Sequence, residues 1–251
     1  MPQAASDIGK LTHLRALVLG GPKQGKSTSC IVSLVNTFGN GYVLCCGDKT
    51  GMAPAARRTN KFSYDVIRDE TDMDAAIKEA RDGVKSGGVK WVFVDDFSLY
   101  ASYLEGALRD ASAAQNKSGE ADGRRYWPEF RQRLLNVARR LFDLKCHVVF
   151  ASHYIEQSGE IKDPKTGERQ RAKSGVGVMP MIGGSAREEL PALFQDVIFL
   201  EKIEGKRVFQ VNPDGVWGPG SRSVDGTYTI DADFGEFMKI KEKEEKSNAK
   251  R

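Results

Sequence analysis

Short apolar runs alternate with longer mixed segments along the whole chain, and most of the runs end at a glycine or an acid. Arg15-Ala16-Leu17-Val18-Leu19 predicts a buried strand, and the segment from Lys26 to Phe38 predicts a helix that stops at Gly39. Tyr42-Val43-Leu44-Cys45-Cys46 predicts a second strand ending at Gly47-Asp48. A short third strand is expected from Tyr64 to Ile67, followed by a helix from about Asp72 to Ser86. Trp91-Val92-Phe93-Val94 and His147-Val148-Val149-Phe150-Ala151 are clear buried strands, running into Asp95-Asp96 and Ser152-His153. The last core strand is expected at Val197 to Ile203, with a Glu204-Gly205 turn and a return strand from Lys206 to Val211. Runs that are apolar throughout suit strands buried on both faces. Their alternation with helical segments predicts an α/β fold with a mainly parallel sheet covered by helices on both sides.

Between Asp95 and His147 the pattern changes to a helical period. Trp127, Phe130, Leu134, Val137, Ala138, Leu141 and Phe142 share one face, with Arg125, Gln132, Asn136, Arg139, Arg140 and Asp143 opposite. Pro128 is expected in the first turn, where its missing N–H costs nothing. Arg131 falls on the apolar side and is expected to pair with a buried acid or to reach a subunit interface. The small, polar stretch from Ala111 to Gly123 predicts a loop. Glu156 to Gly184 holds the turn signal Asp163-Pro164-Lys165-Thr166-Gly167 and reads either as a long basic loop or as a protruding β-hairpin. Ser185-Ala186-Arg187-Glu188 has the form of a capping box and predicts a helix ending near Gln195.

Composition narrows the class. The 251 residues fit one α/β unit, here residues 1–237, with 238–251 as a charged tail. No apolar run approaches the roughly 18 residues of a membrane helix, and Met1 to Ile8 lacks a signal-peptide layout, so a cytoplasmic protein with no membrane partner is expected. Cys30, Cys45, Cys46 and Cys146 lack metal-ligand spacing and read as buried free thiols. Of the net charge of +4, the tail from Lys239 contributes most, with six Lys and Arg against three Glu. The tail reads as a solvated or fraying helix end. Two internal segments are locally basic: Arg124 to Arg140, with six Arg, and Lys162 to Lys173, with five Lys and Arg. Such patches suit a polyanion, and solvated helix faces also carry them.

The chemistry is concentrated in Gly20-Gly21-Pro22-Lys23-Gln24-Gly25-Lys26-Ser27, followed by Thr28. This is a complete phosphate-binding loop (Walker A) between a predicted strand and a predicted helix. The glycines let backbone N–H groups turn inward around phosphate, and the helix start adds partial positive charge. Lys26 is expected on the β- and γ-phosphates of a nucleoside triphosphate, and the Ser27 hydroxyl on Mg²⁺. Trp91-Val92-Phe93-Val94-Asp95 has the Walker B form, an apolar strand ending in an acid, which places Asp95 on the metal side. Asp96 either polarises the attacking water or caps the next segment. Asp48 ranks level with Asp96 as a water-polarising acid, while Glu70 reads as helix-start chemistry. His153 either senses the γ-phosphate or orients water, or fills a structural loop role.

Taken in order, GGPKQGKST, VLCCGDKTG, WVFVDDFSLY, RRYWPEFRQRLLNVARRLFDLKCHVVFASH, ELPALFQDVIFLEK and GPGSRS resemble the phage-encoded RecA-like ATPases, nucleotide-binding proteins related to single-strand-annealing recombinases. The resemblance spans about Leu14 to Phe234. It implies a RecA-like P-loop fold with the His147–Ala151 strand between the phosphate-loop strand and the Walker B strand, and a C-terminal β-hairpin extension. It also implies ATP hydrolysis coupled to single-stranded DNA in recombination or replication, with Mg²⁺ as cofactor. Assembly into a ring or filament, cooperation with a single-strand-binding protein and, for a phage protein, the host cytoplasm follow from it too. His153 then matches the residue that couples nucleotide state to the DNA loops. Arg222 resembles a late basic residue that reaches a neighbouring subunit's phosphate. Two departures stand out: Asp48 where a glutamate is usual, and Asp95-Asp96 where Asp-Ser is usual. The first favours a nucleotide-gated oligomeric assembly protein as the alternative, and a DNA motor or loader subunit, which would share the core, is the other; either would show little DNA-stimulated turnover of its own.

Overall fold

Every long apolar run enters one sheet. β1 (Arg15–Gly20), β2 (Gly41–Cys45), β3 (Phe62–Val66), β4 (Trp91–Asp95) and β5 (His147–Ser152) are parallel. β6 (Tyr154–Lys162) and β7 (Arg169–Pro180) leave the sheet as an antiparallel hairpin. β8 (Asp196–Ile203) returns beside β1 in parallel, and β9 (Lys206–Val211) folds back along it. β10 (Val216–Trp217) joins the hairpin, β11 (Gly220–Ser221) pairs with the start of β8, and β12 (Tyr228–Asp231) closes the sheet beside β9. The strand order is β12-β9-β8-β1-β5-β4-β2-β3. β5 thus lies between β1 and β4, the order expected above. This computed structural model describes residues 13–162, 169–213, 216–217 and 220–248. The turn expected at Asp163-Pro164-Lys165-Thr166-Gly167, the first twelve residues and the last three lie outside them.

Side-chain alternation along the strands builds two cores. Leu17 and Leu19 of β1 face the layer of α3 (Glu70–Lys85), α4 (Phe97–Gln115) and α5 (Gly123–Phe142). Ala16 and Val18 face α1 (Lys26–Phe38) and α7 (Phe234–Asn248) on the other side. Two helices of four residues each, α2 (Ala53–Ala56) and α6 (Ala186–Glu189), complete the set. Arg15 fastens α5 to the sheet. Its guanidinium donates to the carbonyls of Phe142, Leu144 and Cys146 at 2.8, 2.9 and 2.5 Å, satisfying oxygens that the helix end leaves unpaired. The four cysteines are buried and free, as expected. Among the described residues no helix is long and apolar enough to cross a membrane.

Several boundaries differ from expectation for local reasons. α4 runs on to Gln115 because Ala111, Ala113 and Ala114 are the best helix formers, so the expected loop shrinks to the residues before α5. α5 starts at Gly123, where the Asp122 carboxylate accepts from Arg124 N at 3.0 Å, and this moves Pro128 out of the first turn into the helix. The Ser185 side chain makes no capping bond, and α6 ends before Pro191, whose missing N–H stops it short of Gln195. The segment from Glu156 is a hairpin rather than a loop. The charged tail is helical to Asn248, and its Lys241 is buried against Asp196 at 2.8 Å. Arg131 pairs with Glu189, an acid on the surface rather than in the core.

Candidate active site

The parallel strands β1, β4 and β5 end on the same side of the sheet, and their ends face one cavity of about 400 Å³. It is lined by the phosphate loop, Asp48, Asp95, Asp96, His153 and Arg207. Loop geometry accounts for the glycines. Gly25 has φ 90°, a backbone conformation that favours glycine, and a Cβ there would lie 2.2 Å from the Arg207 guanidinium and displace it. Lys23 also takes a left-handed φ of 59°. The Gly21 N–H donates to Gln24 Oε1 at 2.9 Å, which ties the loop to itself. Gly25 is the N-cap of α1 and offers no side-chain acceptor, so the first amides of that helix remain available to an anion.

Lys26 is buried, and its ammonium is held at four points. It donates to the carbonyls of Gly20 (2.8 Å) and Gly21 (3.3 Å) and to His153 Nδ1 (3.0 Å), and lies 3.5 Å from Asp96 Oδ2. Burial lowers its pKa, and Asp96 and Asp95 oppose that. Asp95, at the end of β4, has its carboxyl pushed up to about 6, chiefly by burial; the hydrogen bond from Ser27 pulls the other way. The two side chains expected on Mg²⁺ therefore meet. Among the described residues no group of three or more His, Cys, Asp or Glu forms a metal cage. An Asp95–Ser27 pair fits Mg²⁺, which takes one or two protein oxygens and completes its shell with phosphate and water.

Asp96 does two things at once. Its Oδ1 accepts from Ser98 N at 2.8 Å and from Ser98 Oγ at 2.5 Å, which caps α4. Its Oδ2 is buried with no hydrogen-bond partner and faces Lys26 and His153 Nε2, the latter at 3.4 Å. His153 follows β5 directly. Its backbone N–H donates to Ser98 Oγ at 3.3 Å, and its carbonyl accepts from Met181 N at 2.8 Å, at the foot of the β6–β7 hairpin. Burial lowers the imidazole pKa and Lys26 adds to that, while Asp96 and a hydrogen bond to the Gly20 backbone oppose it.

The remaining expected residues separate. Asp48 lines the cavity but is exposed, and its carboxylate accepts from Thr50 N at 2.9 Å and Thr50 Oγ1 at 2.6 Å. Those bonds hold its pKa below the usual carboxylate range. Arg222 lies at the far end of the strands. Its N–H donates to the Gln195 carbonyl and its guanidinium to Ala192 O at 2.7 Å, beside the start of β8, whereas the phosphate loop leaves β1 opposite Leu200. Within one chain it does not meet the cavity. Arg207 was not foreseen. The Glu204-Gly205 turn brings β9 back to the loop end of the sheet, and Arg207 Nε donates to Gln24 O at 3.0 Å. Pairing of β8 with β1 determines that position, and no local motif marks it. A second cavity of about 340 Å³ shares Thr28 and Arg207 with the first and continues past Asn36, Arg58 and Asp233.

No protein-family model and no curated protein matches this chain. Among solved structures 144 chains match. One is a prototypical ATPase from the type III secretion system of pathogenic bacteria, 16% identical, with a TM-score of 0.46 over 75% of this chain and 52% of that one. The chain therefore spans about half the length of that neighbour. At this level of likeness only the geometry of the site itself bears on activity.

Proposed function

We propose that the protein is a RecA-like P-loop ATPase that hydrolyses ATP and acts with single-stranded DNA in phage-type recombination or replication. The observation that carries the nucleotide reading is the convergence of Lys26, Ser27, Asp95, Asp96 and His153 on the mouth of a glycine loop at the strand ends. The loop amides and Lys26 take the β- and γ-phosphates, Thr28 follows toward the α-phosphate, and the second cavity receives the nucleoside. Asp95 and Ser27 hold Mg²⁺, which when bound neutralises charge on the phosphates.

The DNA reading is supported by the resemblance described above and by the place of the β6–β7 hairpin. Its strands begin next to His153 and belong to a separate three-stranded sheet, in a segment whose sequence from Lys162 to Lys173 is basic. A ring or filament would give Arg222 access to a neighbour's phosphate, and a single-strand-binding protein is the expected companion on DNA. One observation favours the nucleotide-gated assembly reading instead: the Asp48 carboxylate is committed to Thr50. Phosphate release with and without single-stranded DNA separates the two. Stimulation by DNA supports the recombination reading. ATP-dependent assembly without DNA-stimulated turnover supports the gated scaffold.

A further inference from the structure

We infer that His153 is the general base of ATP hydrolysis and that Lys26 masks it until the triphosphate arrives. The inference rests on the ATPase reading and deepens it. An ammonium has only donors, so the 3.0 Å contact between Lys26 Nζ and His153 Nδ1 requires a lone pair on Nδ1. The ring proton of the neutral imidazole is then on Nε2, which faces Asp96 Oδ2 at 3.4 Å. That oxygen is buried and accepts no hydrogen bond, so it is free to take the Nε2 proton's hydrogen bond as the ring closes on it. The result is a lysine–histidine–aspartate triangle at the end of the loop that cradles phosphate, in which Lys26 Nζ also lies 3.5 Å from Asp96 Oδ2.

The triangle has an order of events built into it. The γ-phosphate offers Lys26 an anionic partner, and the ammonium that leaves His153 for it exposes the Nδ1 lone pair at the place where the lysine had been. A water between Nδ1 and the γ-phosphorus gives its proton to Nδ1. Its oxygen bonds to phosphorus as the bond from phosphorus to the β–γ bridging oxygen breaks, and ADP departs with that oxygen's electron pair. The imidazolium that results is stabilised by the neighbouring Asp96 side chain, and its proton then passes to the phosphate or to solvent. Asp96 is thus a positioning residue. It fixes the tautomer through Nε2 and is itself fixed by Ser98 N and Ser98 Oγ.

The competing acids fit the task less well. Asp48 is exposed and occupied by Thr50, which makes it a weaker base. Asp95 is hydrogen-bonded to Ser27 on the metal side. Asp96 Oδ2 is buried and already engaged by Lys26 Nζ at 3.5 Å and His153 Nε2 at 3.4 Å. His153 is the neutral acceptor that the departure of Lys26 uncovers.

The test uses the full chain with ATP and Mg²⁺. His153→Gln keeps a polar side chain but cannot take up the proton. It should bind a fluorescent ATP analogue within a few-fold of wild type while turnover falls about 100-fold or more, the usual size of a general-base contribution. His153→Ala should regain turnover when imidazole is added, and Lys26→Ala should not. Asp96→Asn should lower kcat without raising KM for ATP. Near-wild-type turnover by His153→Gln, or a His153→Ala protein that binds ATP and is not rescued by imidazole, overturns the assignment. A wild-type protein that binds ATP without hydrolysing it removes the ATPase reading itself, and the base assignment with it.

Discussion

Lys26 Nζ lies 3.0 Å from His153 Nδ1, so the phosphate-loop lysine is bonded to the one residue between the end of β5 and the start of the β6–β7 hairpin. One ammonium therefore joins the nucleotide cavity to the foot of a separate sheet. On the proposed reading, an incoming triphosphate would compete for that ammonium and change the partners of His153. On that reading the contact would tie nucleotide binding to His153 as base, and the His153 carbonyl, which accepts from Met181 N, would extend the link to the hairpin end.

Arg207 should set affinity rather than chemistry. Its Nε bond to the Gln24 carbonyl braces the loop from β9, and its guanidinium lies over Gly25. A hydrogen bond from a charged donor is worth about 1.5–3 kcal/mol, so Arg207→Ala should weaken ATP binding by roughly 10-fold or more. Arg207→Lys lacks the Nε donor and should not restore it. Titration with a fluorescent ATP analogue reads both, and unchanged affinity in Arg207→Ala would remove this role.

Gly25→Ala should lose ATP binding while the chain still folds. A Cβ at φ 90° is strained, and it lies 2.2 Å from Arg207 Nε, so that flexible side chain must move aside and give up its brace on the loop. Both effects act on the loop and leave the cores untouched. Circular dichroism close to wild type together with lost binding is expected. Retained binding would show that the loop tolerates a side chain there.

The Asp196–Lys241 pair should act on stability alone. Asp196 is fully buried, accepts from Ser221 Oγ and Ser223 Oγ at 2.5 and 2.7 Å, and meets Lys241 at 2.8 Å. Lys241→Met strands the carboxylate and should cost about 3–5 kcal/mol in denaturant unfolding, whereas Asp196→Asn combined with Lys241→Met should cost less. A double variant as unstable as the single one would contradict that account.

His147 gives a pH signature at the other end of the strands. Its Nδ1 accepts from Leu14 N at 3.1 Å and its ring stacks on Phe38. Burial first, then His13, Arg15 and Lys241, push its pKa down to about 4. The folded value lies below the unfolded value of about 6.5, so the unfolded chain binds the extra proton. The stability that neutral His147 contributes is complete above pH 6.5 or so and is lost as pH falls toward about 4. Tm should decline less steeply across that window in His147→Gln than in wild type. Equal slopes would remove His147 from the account.

The parts of this site that lie within a few contiguous residues were legible, because their geometry is local. The phosphate loop between β1 and α1, and Asp95 at the end of an apolar strand, needed only their own neighbours. Arg207 was not legible, since its place depends on β8 pairing with β1 and on a turn that follows it. The burial of Lys241 has the same origin, as its partner lies 45 residues away. Helix ends failed where a single residue outweighed the periodic pattern: Asp122 starts α5 early, and Pro191 ends α6 early. The short strands β10, β11 and β12 had no apolar run to announce them, and neighbouring strand edges define them.

The most direct test of the central claim is calorimetric titration of ATP with Mg²⁺ into the wild type and into Lys26→Ala. One ATP bound per chain, with binding lost or weakened at least tenfold in Lys26→Ala, is the predicted result. No ATP binding by the wild type, or equal binding by both proteins, would contradict the assignment of this cavity to a nucleoside triphosphate.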